Sequence, residues 1–485
     1  MILPIVLVII GLLTLTMAGF VFFLRAETAG LTAHRDLQQA RLAAESGLEE
    51  VIATLRVAKH DASQWYDVPN RFRHALVYAP TFDREKDPVR QSQPPTRNGI
   101  VGPGLTAPEA WRYAVCAPIF DPQLERFRYG ITPESAKLNL NTATPQQLGA
   151  LIAPLLTALE IENPGELIDA VIDWRDEDDD LSPNGAENDW YNTLTPPYSA
   201  KNGPFDTVEE LLVVKGWNAI ALYGEDVNRN GMLDPNEDDG DASWPFWDNA
   251  DGTLNPGVAP FLTVSSREPD TTLSNKPRIN LNGQAGAIAA QITAMFPDGE
   301  LSSGSAAFIT QLKSSNFDFS QLTSVAQLYI VGYVPPPGTI EGDAPPAPGT
   351  LPPNLLRNNP ITAEELPLIL DAFSLQNPQT VNQTGIVGLI NINAAPPQVL
   401  AIIPGITPDL VSSIVATRAT LTPQDLRTPA WLVTSGLVDT ITFHQIAPYV
   451  TTKAYQFHVE IVGYADHTKA AHRVEWIIEM IGPIA

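Results

Sequence analysis

The chain has 485 residues, enough to bury a large hydrophobic core and to form more than one domain. Acidic residues outnumber basic ones by 55 to 29, and a formal charge of −26 repels nucleic acid and anionic lipid headgroups, which argues against a general DNA-binding function. The single cysteine, Cys116, rules out a disulfide within the chain.

Residues 1–24 form an uncharged run of apolar and small side chains. As a helix, this run is long enough to cross a hydrocarbon core of about 30 Å. No Lys or Arg precedes it, as one would in a cleaved secretory signal, so the pattern favours a membrane anchor. Leucines and alanines at helical spacing continue to Arg56 and predict one helix of about 50 residues. Small residues within 41–49 should let this helix pack closely against copies or relatives of itself.

Downstream of a loop-rich stretch, residues 111–132 alternate as in two strands around a turn. An Asn-x-Asn phrase then occurs three times, at 138–141, 279–282 and 390–393, each time at the end of a short strand and the start of a helix. Three strand-to-helix junctions with the same residue pattern predict a repeated supersecondary unit.

Helix starts with capping boxes, in which a Thr and a Glu or Gln three residues later satisfy each other's backbone N–H groups, are predicted at three places. They are Thr144 with Gln147, Thr207 with Glu210, and Thr362 with Glu365. The first also has proline at the first helical position.

The C-terminal segments 455–462 and 473–481 read as a β-hairpin that turns near 466–469. Phe457, Val459 and Ile461 alternate and should face a core. The predicted fold class is therefore α+β: a long N-terminal transmembrane helix packed on an antiparallel sheet, with a large inserted α-helical domain.

Several segments carry a resemblance to a known family. Residues 43–49, Ala-Ala-Glu-Ser-Gly-Leu-Glu, resemble the helix that follows the membrane segment in type IV pilin-like pseudopilins. Pilin precursors usually have Glu at the fifth mature position, where this chain has Ile5 if Met1 is the first mature residue. That departure is expected in minor pseudopilin K of type II secretion systems. Further segments similar to that family, in its order, are 139–143, 171–179, 185–191, 205–211, 261–266 and 390–395.

The resemblance implies a pilin-like sheet interrupted by the helical domain, and a place at the tip of the pseudopilus beside other minor pseudopilins. The expected organisation is as follows: 1–56, transmembrane and assembly helix; 57–137, first part of the pilin-like domain; 138–260, helical insertion with acidic calcium loops; 261–333, a strand and second helical segment; 334–360, proline-rich linker; 361–449, helical subdomain; 450–485, C-terminal hairpin of the pilin-like domain.

The strongest chemical signal is the segment 226–237, which follows the twelve-residue calcium loop of EF-hands at every ligand position. Gly231 stands at the sharp turn. Such spacing supplies the oxygen ligands that calcium (Ca2+) prefers, although a solvated Asn/Asp turn would use the same residues. The predicted ligands are the side chains of Asp226, Asn228, Asn230, Asp234 and Glu237 and the backbone carbonyl of Met232.

A second candidate lies within 173–189, where Asp176, Asp178, Asp180 and Glu187 occupy positions one, three, five and twelve of the same template. Leu181 replaces the turn glycine. Crowded carboxylates repel each other unless a cation or water screens them, so the choice is between a calcium site and a solvated acidic loop. The resemblance favours calcium, because members of that family bind it in the helical domain.

No nucleotide-binding glycine pattern, zinc signature or nucleophile elbow occurs in the sequence, and the histidines are scattered. The expected function is therefore non-enzymatic: a minor pseudopilin that initiates or caps assembly of the type II secretion pseudopilus. Its expected partners are other minor pseudopilins, the major pseudopilin and the membrane through residues 1–24, without nucleic acid or a small-molecule substrate. Its expected location is the inner membrane, single-pass, with the bulk of the chain in the periplasm.

Two alternative functions are also compatible with the sequence. A DNA-uptake module is suggested by the segment 391–406, which resembles the start of a helix-hairpin-helix and could hold phosphates on backbone amides. The overall acidity opposes it. A calcium-dependent surface adhesin would require a pocket that the sequence does not reveal.

Overall fold

The structure is a computed structural model. It describes residues 2–78, 110–121, 126–315, 317–329, 359–377, 380–381, 384–468 and 470–480. The predicted proline-rich linker lies outside the described residues except for its last two positions.

Helix α1 spans Ile2–Ala58 without a break, which confirms the predicted single helix. Its large apolar side chains that the structure describes between Ile5 and Leu24 are exposed, and it is the one described helix that is long and apolar enough to cross a membrane. Beyond Asp36 the same helix begins to bury one face. The helix therefore has an apolar half without protein neighbours and a half that belongs to the folded domain.

The buried face of α1 lies directly on the backbone of the chain's own sheet. Ala40 and Ala44 are completely buried there. A Cβ on Gly463 would lie 2.0 Å from the carbonyl oxygen of Ala40, and one on Gly47 would lie 2.8 Å from the ring of Tyr113. The small residues predicted to meet a second copy of the helix thus pack within the chain, and that part of the prediction is wrong.

The sheet has the strand order β1-β2-β13-β14, with β3 paired to β2 and β4 paired to β13, and every pair is antiparallel. Its strands are β1 Ala75–Tyr78, β2 Trp111–Asp121, β3 Arg126–Arg128, β4 Thr132–Pro133, β13 Gln456–Ala465 and β14 Ala471–Glu479. The predicted C-terminal hairpin is confirmed, and Phe457, Val459 and Ile461 are fully buried against α1 and its neighbours. Because β13 pairs with β2, everything between β4 and β13 is an insertion into this sheet.

The insertion is built from short helices and two-residue strands. Its helices, with α2 Pro69–Phe72 preceding them, are α3 Pro145–Ala158, α4 Pro164–Arg175, α5 Asn188–Tyr191, α6 Ala219–Tyr223, α7 Ala285–Met295, α8 Ser303–Ser314, α9 Leu366–Ala372, α10 Pro397–Leu400, α11 Pro408–Arg418, α12 Trp431–Thr434 and α13 Thr440–Ile446. Its strands are β5 Leu138–Asn139, β6 Leu262–Thr263, β7 Arg267–Glu268, β8 Ile279–Asn280, β9 Phe373–Ser374, β10 Ile386–Val387, β11 Ile390–Asn391 and β12 Val450–Thr451.

The three Asn-x-Asn phrases build one repeated unit, as predicted. Each closes a strand, precedes a pair of helices, and is joined by a later strand in parallel, in the pairs β5-β6, β8-β9 and β11-β12. The first Asn accepts a hydrogen bond from the backbone N–H two residues on, at 2.9, 2.8 and 3.0 Å for Asn139, Asn280 and Asn391. The second Asn donates to a distant carbonyl, at 3.0, 3.0 and 2.8 Å for Asn141, Asn282 and Asn393.

All three units share one hydrophobic core, whose buried members run from Ala136 to Val450. The sheet and α1 have a separate core around Val51, Leu55 and Phe457. Burial of apolar surface thus holds the inserted units to one another, while a second cluster holds α1 on the sheet.

The predicted capping boxes have different outcomes. Thr144 and Gln147 bond reciprocally, at 3.2 and 2.9 Å, as predicted. The box at Thr207 and Glu210 is wrong, since Thr207 makes no side-chain cap. Glu210 Oε2 instead accepts the backbone N–H of Asp206 at 2.9 Å, and its Oε1 accepts the indole N–H of Trp174 at 3.0 Å.

At Thr362 only half of the predicted box forms. Glu365 Oε2 accepts the backbone N–H of Thr362 at 3.0 Å. The other Glu365 oxygen accepts the backbone N–H of Ser302 at 2.8 Å, so this carboxylate ties α9 to the start of α8.

We expect Asn391→Ala to destabilise the helical insertion by about 1–3 kcal/mol, because the N–H of Asn393 and the carbonyl of Lys453 would both lose their hydrogen-bond partner. Asn391 is 2% exposed and donates to the carbonyl of Lys453 at 3.2 Å. Thermal unfolding followed by circular dichroism measures the effect. The matched control is Asn282→Ala, at an exposed position where water replaces the lost bonds; equal losses in both variants would show that burial of the Asn turn is unimportant.

Candidate functional site

The first acidic loop, 226–237, follows the short helix α6 and ends in a single turn at Pro235–Glu237. Gly231 has φ +69°, a left-handed conformation that glycine adopts without strain, as predicted for the turn position. Asp226 accepts the N–H of Asn230 at 2.9 Å on one oxygen and that of Gly231 at 2.9 Å on the other. The loop therefore curls around the first carboxylate.

Apart from Met232, the remaining predicted ligands of this loop hydrogen-bond to one another or to the loop backbone. Glu237 is 1% exposed, and its two oxygens accept the N–H groups of Val227 and Asp234, each at 3.1 Å. The Asp234 carboxylate accepts the side-chain amides of Asn228 and Asn230, at 2.7 and 2.8 Å. Met232 exposes its side chain, so only its backbone carbonyl is a possible ligand.

Burial sets the electrostatics of this loop. It raises the pKa of Asp226 and of Glu237, although backbone N–H groups partly oppose the shift in each case. No three His, Cys, Asp or Glu side chains converge as a metal cluster in the part of the chain that the structure describes. A cation in this loop would therefore depend on amide and carbonyl oxygens as well as carboxylates, a donor set that suits calcium better than zinc.

The second acidic loop contains buried carboxylates without protein partners. Glu187 is 7% exposed, and neither of its carboxylate oxygens has a hydrogen-bond partner among the described residues. One oxygen of Asp176 and the amide oxygen of Asn202 are also buried without a hydrogen-bond partner among the described residues. Leaving such groups unpaired costs free energy, so the donor set fits a bound cation.

Burial, and then the charges of nearby aspartates, raise the pKa of Glu187 to about 7. The first of those aspartates is Asp173, which is completely buried and is bonded only weakly, by the N–H of Ser182 at 3.2 Å. Gly185 comes so close that a Cβ there would lie 1.9 Å from the Asp173 carboxylate. The loop thus wraps a pair of buried acids.

The second loop differs from the predicted template in its details. Burial and then the charge of Asp178 raise the pKa of Asp176, and the charges of Asp176 and Asp178 add to the raised pKa of Glu187. Asp178 and Asp180 are themselves exposed, and Asp180 makes only a small contribution to the raised pKa of Asp176. Sequence reasoning missed Asp173, although it lies one helical turn before Asp176, where the two face the same side.

Asn202 was also missed, and no local signal could have found it. It lies in the left-handed conformation at φ +44° and reaches the loop from outside the twelve-residue template. Its side-chain nitrogen donates to Asp179 Oδ1 and to the carbonyl of Asp178, each at 3.0 Å.

A bridge connects the first loop to the sheet. Arg473 on β14 donates to the carbonyl of Asn228 at 3.3 Å and to that of Arg229. The same guanidinium pairs with Glu460 on β13 at 2.5 Å. Order in the acidic loop is therefore coupled to the position of the edge strand.

Residues 136–223 match the family described as type II secretion system, protein K. We call residues 136–223 the protein K segment. The protein K segment holds the first repeated unit from β5 through α4, the whole second acidic loop, and the chain up to the end of α6. The first acidic loop begins directly after it.

The chain is also similar to a solved structure, the GspK-GspI-GspJ complex of the type 2 secretion system of enterotoxigenic Escherichia coli. The sequence identity is 11%, the match covers 94% of this chain and 95% of that chain, and the TM-score is 0.37. No curated protein matches the sequence. The protein K segment is thus the part of the chain for which the sequence itself matches a family.

Proposed function

We propose that this protein is a non-enzymatic minor pseudopilin of a type II secretion system that initiates or caps the pseudopilus from its tip. One observation carries the proposal: a protein K segment is inserted between the strands of a sheet on which a 57-residue helix lies. A long helix with an apolar, unpacked first half is the element that such subunits need for membrane storage and assembly.

The size of the insertion supports a place at the end of the filament. The helical units have their own large core and are much bulkier than the sheet that carries them. Heads of that size would clash if they were repeated along a closely packed filament.

The proposed location is the inner membrane, with a single crossing by residues 1–24 and the remainder in the periplasm. The exposed apolar half of α1 supports the crossing. The proposed partners are other minor pseudopilins, of the kinds called GspI and GspJ in the complex above, and the major pseudopilin.

We infer that calcium is a structural cofactor of the head, held in both acidic loops. In the first loop the oxygens of Asp226, Asn228, Asn230, Asp234 and Glu237, with the Met232 carbonyl, would bind it. In the second loop Asp176 and Glu187 would be joined by Asp173 and Asn202. A divalent cation would neutralise carboxylates that are otherwise buried without partners and would stabilise the folded loops.

The DNA-uptake alternative is less favoured by the geometry around the third Asn phrase. Arg418 is the nearby cation, and it donates to the carbonyls of Ile392 and Ala395, at 3.2 and 2.7 Å, inside the unit. The guanidinium of Arg418 therefore bonds to the unit itself, and a phosphate would have to displace those bonds. An adhesin function has no specific support from the described residues.

The test is a pull-down of the full-length protein in detergent with the other minor pseudopilins, in calcium and in EGTA. We expect a complex in calcium. A matched control joins α1 to an unrelated soluble head, so that association through the apolar helix alone can be recognised. Failure to capture any minor pseudopilin in either condition, or tight binding of duplex DNA at low salt, would contradict the proposal.

A further inference from the structure

A pocket of about 250 Å³ lies where the first repeated unit meets the C-terminal hairpin. Its walls come from β13, β14, the segment around β6 and residues 206–209, and Asp226 of the first acidic loop also lines it. Pockets for cofactors and drug-sized ligands usually measure about 300–1,000 Å³, so this one suits a single side chain better.

The charges that line this pocket are unbalanced. Six carboxylates and three basic side chains reach it. Glu134 is buried and already paired, with Lys137 at 2.8 Å and with the hydroxyl of Thr263. Glu460 is 4% exposed, and its Oε2 has no hydrogen-bond partner among the described residues. A buried carboxylate oxygen without a hydrogen-bond partner favours a hydrogen-bond donor from another molecule.

The basic groups around the pocket are occupied elsewhere. Arg473 binds Glu460 Oε1 and the carbonyls of the first acidic loop. Arg229 lies over the ring of Tyr223, with 5.2 Å between the guanidinium carbon and the ring centroid. His458 is held neutral because burial lowers its pKa to about 3. None of these groups supplies the missing donor to Glu460 Oε2.

Apolar residues complete the walls, among them Pro256, Pro260, Val264 and Ile477. Ile477 is also exposed on the edge strand β14, so the apolar wall continues to the surface. Lys and Arg bury their aliphatic stems on apolar surface and carry a charged group at the tip. The combination of apolar walls and an acidic floor matches such a side chain.

We propose that this pocket receives a lysine or arginine side chain of a partner protein, whose charged group pairs with Glu460. Aliphatic carbons of the incoming side chain lie along the Pro260 and Ile477 walls. The charged nitrogen donates to Glu460 Oε2, and the excess of carboxylates in the pocket selects a cation over a neutral group. The edge strand beside the pocket is the surface on which the rest of the partner lies.

The probe for this site is N-acetyl-arginine methylamide, titrated into the full-length protein in detergent at low salt with calcium present, by calorimetry. The control ligand is the citrulline analogue, which has nearly the same shape but no charge. We expect the arginine probe to bind at least tenfold more tightly than the citrulline analogue, because hydrogen bonds to charged groups are the stronger ones.

The key variant is Glu460→Gln, which should weaken binding of the arginine probe at least tenfold. The matched control Glu300→Gln changes an exposed carboxylate outside the pocket and should leave binding unchanged. A second variant, Ala259→Leu, fills the pocket while all its carboxylates remain, and it should also block the probe. It keeps the test decisive if Glu460→Gln does not fold.

Four results would overturn the proposal: absence of binding by the arginine probe, equal binding of the arginine and citrulline probes, unchanged binding in both pocket variants, and displacement of the probe by excess calcium. The last result would assign the site to a metal ion. None of these results bears on the pull-down with other minor pseudopilins.

Discussion

Removal of calcium with EGTA should lower the unfolding temperature of the head by at least about 5 °C. At a free calcium concentration about 100-fold above the dissociation constants, the two proposed sites together contribute about 5 kcal/mol, and an entropy of unfolding of about 2.1 cal/mol/K per residue makes a domain of about 300 residues shift by about 1.5 °C per kcal/mol. Calorimetry of the full-length protein in detergent, with calcium and then with EGTA, measures the change. The physical cause is clearest in the second loop, where buried carboxylate oxygens without hydrogen-bond partners need a counter-charge.

The second loop can be tested separately with Glu187→Gln, which should remove much of the calcium response. Its matched control is Asp180→Asn, at the exposed position of the same loop, which should keep the response.

In EGTA, the raised pKa of Glu187 also determines how the stability of the head changes with pH. Glu187 has a folded-state pKa raised to about 7 from an ordinary value of 4.5. The calcium-free head should lose stability as the pH rises from 4.5 to 7, because the unfolded chain ionises first.

Glu187→Gln should flatten that pH dependence in EGTA. An unfolding temperature that is the same in calcium and EGTA at neutral pH would contradict the calcium sites in both loops. A calcium response that survives in Glu187→Gln but vanishes in Glu237→Gln would restrict calcium to the first loop.

Gly463→Ala should be among the most destabilising single substitutions in the sheet, with a loss of about 3 kcal/mol or more. The new Cβ would lie 2.0 Å from the carbonyl oxygen of Ala40 and 2.5 Å from the backbone nitrogen of Ala44. Both are backbone atoms of α1, which cannot move aside without separating the helix from β13. Chemical denaturation of the protein in detergent measures the loss.

The matched control is Gly286→Ala in α7, where no atom lies within 4 Å of the new Cβ. There the same chemical change should stabilise the helix by about 0.5–1 kcal/mol, because alanine restricts the unfolded chain more than glycine does. Similar effects at the two positions would mean that α1 is not held on the sheet by this close approach.

Much of the architecture could be predicted where the sequence pattern is long. The continuous helix, the C-terminal hairpin with its buried Phe457, and the three Asn phrases all follow from periodicity or repetition. The return strands β6, β9 and β12 could not be predicted, since two residues are too few to show a period. Their parallel pairing depends on contacts across the insertion and not on neighbouring residues.

The candidate site also has a part that the sequence pattern predicts and a part that it does not. The first acidic loop is local, and its hydrogen bonds join residues of the twelve-residue template to one another. In the second loop, Asp173 from the preceding helix and Asn202 from beyond the template lie beside the acidic residues, a placement that spacing alone does not show. The box at Thr207 failed because the Thr207 side chain makes no cap, while Glu210 binds the backbone of Asp206 and the indole of Trp174.

The pairing of β13 with β2 has a consequence for the order of biosynthesis. The ribosome makes α1 long before it makes Gly463, against which Ala40 packs. Until β13 has been made, the aqueous half of α1 lacks the part of its docking surface that β13 supplies, while the helical units between can already have folded. Loss of the β13–β14 hairpin would thus leave folded helical units attached to a poorly docked helix, and a quality-control protease would meet that helix first.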